Sequence, residues 1–422
     1  MKKINNPYNE TIVEITTPSK LNVMIVFKPD FVNQAVIIGT PFGGLTTTIK
    51  TKQGIEHLKP GLAHFLEHQL FEGEMGNIMG EFTSYGAHVN AFTSYHETAY
   101  YFSTTNDLKH PLFLLLDLIS QVSISEESTN KEKGIIIQEL NMYDQMPESV
   151  LIKETFKTLY QKHPLINDIG GTVESVSQTT KDDLLRAYEL FYHPSNMQMV
   201  IITHHEVDDV YKWLHQHPFA HQHRERLLVK DIRPIDSHSH LPKSQSVTMD
   251  VNQNKVTISL PIKSSLSDHI LLLKQQWALK ILLEMHFSEI NPQYQLWMDQ
   301  QIINELFDYD VDVKSDYGHV LFLFESITPT DAATFITEQM HQITPTQQTL
   351  DQLKKRYFFS NLRVFNRPTS IMTQLLHYKL EKLSYFDVLD VIQSLTLKDL
   401  LEAKTLLVDQ ALAIVEVKND TI

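Results

Sequence analysis

His64-Phe65-Leu66-Glu67-His68 places two imidazoles four residues apart. On a helix such positions lie one turn apart on the same face, so two ring nitrogens can grip one divalent ion. Glu67 lies beside them. A carboxylate there can take a proton from a water that a metal has made acidic, which is the chemistry of metal-assisted hydrolysis. The order is the reverse of the commoner H-E-x-x-H, and chance yields such a pentapeptide about 0.1 times in a chain of this composition. By itself it could also be two surface histidines and a solvated Glu.

A catalytic zinc normally holds a third protein ligand, commonly a carboxylate. The segment Glu132-Lys-Gly-Ile-Ile-Ile-Gln-Glu139 offers two candidates on one helix face. Nearly two turns separate them, about 10 Å along the axis, so one ion cannot take both. Glu139 as ligand, with Glu132 orienting a ligand or the water, satisfies that geometry. An ordinary solvated acidic face would show the same spacing.

These residues need elements to position them. Thr11–Ile15, Val23–Phe27 and Ala35–Gly39 are rich in β-branched residues and separated by Pro, Asn and Gly, which predicts strands. Over 61–72 the spacing of Leu62, Phe65, Leu66 and Leu70 predicts a helix carrying the His pair. A strand-like stretch, Ala87–Ser103, follows Gly86. Helices are predicted near 108–123, 130–144 (with Ser128, Thr129 and Asn130 as cap candidates), 150–160 and 180–191, then a buried strand through Met199–Ile202. Residues 215–246, rich in His, Pro, Ser and charge, read as a linker. The second half repeats the plan, with strands near 247–261 and 309–327, a long helix near 267–287, and helices near 330–342, 347–363 and 370–381. The expectation is an α+β protein of two homologous-looking domains, 1–214 and 247–422, each a mostly antiparallel sheet packed with helices.

Composition bounds the chemistry. The 422 residues include no Cys, which excludes a disulfide framework, a thiolate metal site and a Cys nucleophile. Lys and Arg number 36 against 51 Asp and Glu, a net charge of −15 that repels nucleic acid and anionic membranes. The N-terminal Met1-Lys2-Lys3-Ile4-Asn5-Asn6-Pro7 turns polar where a signal peptide needs an apolar core. No stretch reaches the roughly 18–20 apolar residues of a membrane span. A cytoplasmic protein is expected.

Four segments, in order, resemble the pitrilysin/insulinase-type zinc metallopeptidases, the inverzincins, and within them the small members such as the mitochondrial processing peptidase β subunit and paired bacterial peptidases. His64-Phe-Leu-Glu-His68 followed by Leu70-Phe71 resembles the metal helix. Gly86-Ala-His-Val-Asn90-Ala91-Phe92-Thr93 is similar to the active-site strand, Glu132 to Glu139 to the third-ligand helix, and Phe191-Tyr192-His193-Pro194-Ser195-Asn196-Met197 to the entry of the last strand of the first domain. The resemblance implies one Zn2+ per chain held by His64, His68 and Glu139, with Glu67 as general base and Glu132 as a supporting carboxylate. It also implies that Asn90, Ala91, Phe92 and Thr93 bind an extended peptide as an added β-strand.

The second half departs from that pattern. Active members place an Arg and a Tyr from such a domain near the zinc, yet no Arg occurs here between Arg233 and Arg356. Tyr309 could serve as the Tyr, but it is not expected to. The resemblance therefore implies a heterodimer in which a motif-less homologous subunit supplies the Arg and the Tyr; a homodimer would leave that role empty. Maturation of a peptide is one activity the resemblance suggests. The rivals are a catalytically silent peptide-binding or assembly subunit and a metal-dependent enzyme acting on small molecules. The histidines at 204, 205, 215, 217, 221, 223, 238 and 240 are irregularly spaced and predict a solvated His-rich segment.

Overall fold

The apolar runs Gln34–Thr40 and Gln198–Thr203 are buried at nearly every residue, as strands covered on both faces must be. The computed structural model describes residues 1–71, 78–120, 122–222, 225–236 and 244–419. Two units emerge. One gathers Met1–Leu140, Asn167–Arg233 and Arg363–Phe386, the other Asn141–Ile166, Pro234–Leu362 and Asp387–Ile422. Both combine one sizeable mixed sheet with helices, and the architecture is α+β as the element pattern predicts.

The first unit contains β1 (Lys2–Ile4), β2 (Thr11–Thr16), β3 (Asn22–Phe27), β4 (Gln34–Thr40), β5 (Thr48–Thr51), β6 (Gly54–His57), β7 (Ala87–Thr93), β8 (Thr98–Thr104), β9 (Gln198–Thr203) and β10 (Lys230–Asp231). Seven form a sheet in the order β1-β2-β3-β9-β4-β8-β7, and β10-β5-β6 form a small one. Only β3 and β9 pair in parallel within the large sheet. The strand-like stretch over Ala87–Ser103 folds as a hairpin, with Ala87 opposite Thr104 and Thr93 opposite Thr98. That leaves β7 at the edge.

Pairing fixes which face each side chain takes. Gly39 lies opposite Ala99, which lies opposite Phe92. A Cβ on Gly39 would come within 2.8 Å of Leu376, so the helix Pro368–Leu380 covers this face. His88, Asn90 and Phe92 therefore face that helix's side. Ala87, Val89, Ala91 and Thr93 face the opposite side, where the helix Leu62–Phe71 packs. Its apolar stripe, including Leu62, Phe65, Leu66 and Leu70, is buried in the main core, leaving His64, Glu67 and His68 partly exposed.

Entry into that helix is set by backbone contact. Gly61 has φ +84°, and a Cβ there would sit 2.2 Å from the carbonyl oxygen of Gly170. No residue with a side chain fits so close an approach. The helix Glu126–Tyr143 starts a turn before the cap candidates: Ser125 Oγ accepts from Ser128 N at 3.0 Å, and Ser128 Oγ accepts from Ser125 N at 3.1 Å. This reciprocal box satisfies two donors at once, which explains why Ser125 displaces the later candidates. The helix buries Thr129, Glu132, Ile136 and Leu140 along one stripe.

The second unit contains β11 (Ser244–Thr248), β12 (Lys255–Pro261), β13 (Asp308–Val313), β14 (Gly318–Glu325) and β15 (Ala413–Lys418), ordered β11-β15-β12-β14-β13. The helix Pro147–Leu159 packs on β12 and β15, where Thr155 and Thr257 hydroxyls meet at 2.5 Å. The helix His269–His286 runs against β13. Among the described residues no helix is long and apolar enough to cross a membrane.

Candidate metal centre and its surroundings

Three side chains converge between the helices Leu62–Phe71 and Glu126–Tyr143. Oε2 of Glu139 lies 3.7 Å from Nε2 of His64 and 3.6 Å from Nε2 of His68. A tetrahedral ion with bonds near 2.0–2.1 Å keeps its ligand atoms about 3.3 Å apart, so this triangle needs little adjustment to close on zinc. Among the described residues it is the only group of His and carboxylates that converges in this way. Both the helical spacing of the His pair and the one-ligand limit on the Glu pair agree with it.

Glu132 sits behind the triangle with its side chain 2% exposed, and its Oε2 lies 3.2 Å from Nδ1 of His68. That contact makes Nδ1 the donor, so in the neutral ring that a ligand must be, the Nε2 lone pair is the one toward Glu139. Burial, and then the charge of His68, hold the His64 imidazole neutral down to about pH 4, the protonation state a ligand requires. The Nδ1 atom of His64 is buried without a hydrogen-bond partner, close beside Gly170.

Glu67 does not join the triangle. Its Oε2 accepts a hydrogen bond from Thr93 Oγ1 at 2.8 Å. Burial pushes the Glu67 carboxyl above its usual range, opposed by the Thr93 hydroxyl and the His68 charge. Thr93, expected on the peptide-binding strand, thus reaches across to the acid. Behind it Thr98 Oγ1 lies 3.3 Å from Thr93 Oγ1 and donates to the Phe42 carbonyl at 2.8 Å. The buried Tyr100 and Tyr192 hydroxyls share a bond of 2.9 Å nearby. These hydroxyls carry no motif of their own. The alternation of β7 was the available signal, since it puts Thr93 on the face of the metal helix.

The other three residues of that segment differ from one another. Asn90 is exposed and its Oδ1 accepts from the neighbouring Ala91 N–H at 2.8 Å. Ala91 turns toward the core, and the Phe92 ring lies 6.3 Å from that of Tyr101. Elsewhere, the expectation of a solvated His-rich segment fails at His217. Its side chain is 4% exposed, and its Nε2 lies 3.2 Å from Asp117. It accepts from Phe219 N, which fixes a short turn and accounts for its burial. His223, His238 and His240 lie outside the described residues.

In the second unit Glu284 gathers three partners. Tyr309 and Arg356 both donate to it, and Tyr357 donates at 3.1 Å. The Tyr309 hydroxyl is committed within its own unit.

Two histidines one turn apart, a carboxylate from a second helix and an acid left over beside them define the H-x-x-E-H class of zinc peptidase site. The chain belongs to the insulinase family, peptidase family M16, whose family signature matches residues 56–173 and so spans every residue of this centre. It is 30% identical to an uncharacterized zinc protease, YmfH of Bacillus subtilis, over 92% of both chains. A mitochondrial-processing peptidase β subunit of Schizosaccharomyces pombe is 30% identical over 43% of this chain and 39% of its own. In fold, an M16-like peptidase from Alicyclobacillus acidocaldarius superposes with a TM-score of 0.91 at 24% identity, covering 99% of this chain and all of its own. These likenesses support zinc as the metal.

Proposed function

We propose that the chain is the catalytic subunit of a zinc endopeptidase that cleaves extended peptides or unfolded polypeptides. The observation that carries this reading is the convergence of His64, His68 and Glu139 with Glu67 outside the triangle, held by Thr93. Zinc held by those three would supply the Lewis acidity that activates water and polarises a peptide carbonyl. Glu67 takes the proton of the attacking water and passes it to the leaving amide nitrogen. Thr93 keeps its carboxylate aimed, and Glu132 fixes the His68 ring. The open edge of β7 takes the peptide as an added strand through main-chain hydrogen bonds, which needs no particular sequence.

The electrophilic half of the site comes from a motif-less homologous partner in a heterodimer. Support for this is the engagement of Tyr309 with Glu284 and the lack of any Arg between Arg233 and Arg356. The proper setting is the cytoplasm, where peptide maturation is the fitting role.

The test is Glu67→Gln in the protein with its partner. Zinc content should be kept while turnover of unstructured peptides falls at least ~100-fold, the range of a lost general base. Near-wild-type turnover would sink the role given to Glu67. Peptide binding with no cleavage by either form would favour the silent-subunit reading.

A further inference from the structure

A cleft of about 400 Å³ opens in the first unit at the far end of β7, on the face covered by the helix Pro368–Leu380. Asn33, His88, Ser103, Thr105, Asn366 and Arg367 contribute to its wall, and no lining residue is a carboxylate. That is unusual company in a chain of net charge −15. Arg186 pairs with Glu56 and Arg233 with Asp231, whereas Arg363 is exposed on the short turn ahead of Arg367. The Arg367 guanidinium has neither a hydrogen-bond nor an ion-pair partner among the described residues, while its backbone is tied into the helix start.

The cleft has a fixed relation to the candidate centre. His88 shares one strand with Thr93, five residues away, which is about 17 Å of extended chain. A peptide added to the open edge of β7 keeps this register. Its side chains then point alternately to the metal-helix face and to the face where the cleft lies. A substrate residue opposite His88 on the second face would flank the cleft that His88 and Arg367 both line, and the planar fork of Arg367 suits a carboxylate.

We propose that this cleft is a subsite for a substrate carboxylate, either an Asp or Glu side chain or a free C-terminus, about five residues from the scissile bond. The proposal rests on the peptidase reading above. Antiparallel pairing with β7 puts the carboxylate on the C-terminal side of the bond, and parallel pairing puts it on the N-terminal side.

The test uses the protein with its partner and an unstructured peptide cleaved at one bond, with Glu or Gln placed four to six residues to either side. A further pair ends at that position as free acid or amide. At one placement the acid should lower KM about fivefold or less with kcat unchanged, as expected for an exposed ion pair. The side on which this occurs reads out the strand direction, and the terminal pair tells which carboxylate source is used. Arg367→Gln should make acid and amide peptides alike, and Arg367→Glu should transfer the preference to a Lys peptide. Equal KM for acid and amide peptides at every placement, with cleavage still dependent on Glu67, would overturn the subsite and leave the peptidase standing. Binding of the same labelled peptides to Glu67→Gln, followed by anisotropy, separates the two claims. Acid-dependent binding in a protein that never cleaves would retain the subsite and remove the peptidase. Absence of any binding would overturn both.

Discussion

Nδ1 of His68 lies 3.2 Å from Oε2 of Glu132, and this one contact decides which nitrogen of the ring faces Glu139. A His ligand whose tautomer is fixed in advance pays less ordering cost when a metal arrives. Glu132 is also nearly fully buried, with its Oε1 unpartnered, so among the described residues His68 is its one side-chain partner at this site.

Glu132→Gln should therefore weaken zinc binding by about 10- to 100-fold without removing a ligand. Chelator competition measures it. Unchanged affinity would mean that the contact does not hold the ring.

Glu139→Gln should cost more zinc affinity than Glu132→Gln, because it removes a donor outright. The expected order of metal loss is Glu139, then Glu132, with Glu67→Gln near wild type. Any other order in metal analysis of the three purified variants would break the assignment of roles.

Thr93→Val keeps the shape of the side chain and deletes the donor to Glu67. We expect kcat to fall roughly 10-fold with KM little changed, the size of one lost hydrogen bond to a charged group. Thr93→Ser should restore most of the loss. A rise in KM alone would instead place Thr93 in peptide binding.

Gly61→Ala meets both a left-handed backbone and the Gly170 carbonyl. The backbone penalty alone is about 1–2 kcal/mol. Thermal unfolding should show a lower Tm and titration a weaker zinc site, since the shifted loop lies beside His64.

Acid should destabilise the second unit through Glu284. Burial raises its pKa, but hydrogen bonds from Tyr309, Arg356 and Tyr357 outweigh burial and hold it below the usual value. A depressed folded pKa contributes stability that is present above the unfolded value and lost as pH falls through the folded one. Unfolding midpoints followed downward from about pH 5 should fall more steeply in wild type than in Glu284→Gln.

The sequence made the metal helix legible because its two signals coincide: Leu62, Phe65, Leu66 and Leu70 repeat at helical spacing, and His64 and His68 share the opposite face. The limit on how far one ion reaches separated Glu132 from Glu139, and the family resemblance pointed to Glu139 as the one to join the His pair. Hidden from view were contacts between residues remote in sequence. Nothing in Pro147–Leu159 says which sheet covers its apolar side, and nothing in Gly170 says that it abuts Gly61. Thr93 was seen as part of a segment, but its bond to Glu67 joins two elements 26 positions apart, which no local period encodes. The turn between β7 and β8 lacks a two-residue Gly or Asn signal, so nothing local divides the strand-like stretch into two arms.

The position of β7 at the end of its sheet among the described residues has one more consequence for the proposed peptidase. A sheet edge reads main chain, and it can be satisfied only by a segment whose own N–H and C=O groups are unspent. In a folded protein nearly all of them are already used. An enzyme that receives its substrate along such an edge needs no gate against native proteins. It sorts chains by their conformational state, and the folded contents of its compartment are excluded by the hydrogen bonds that fold them.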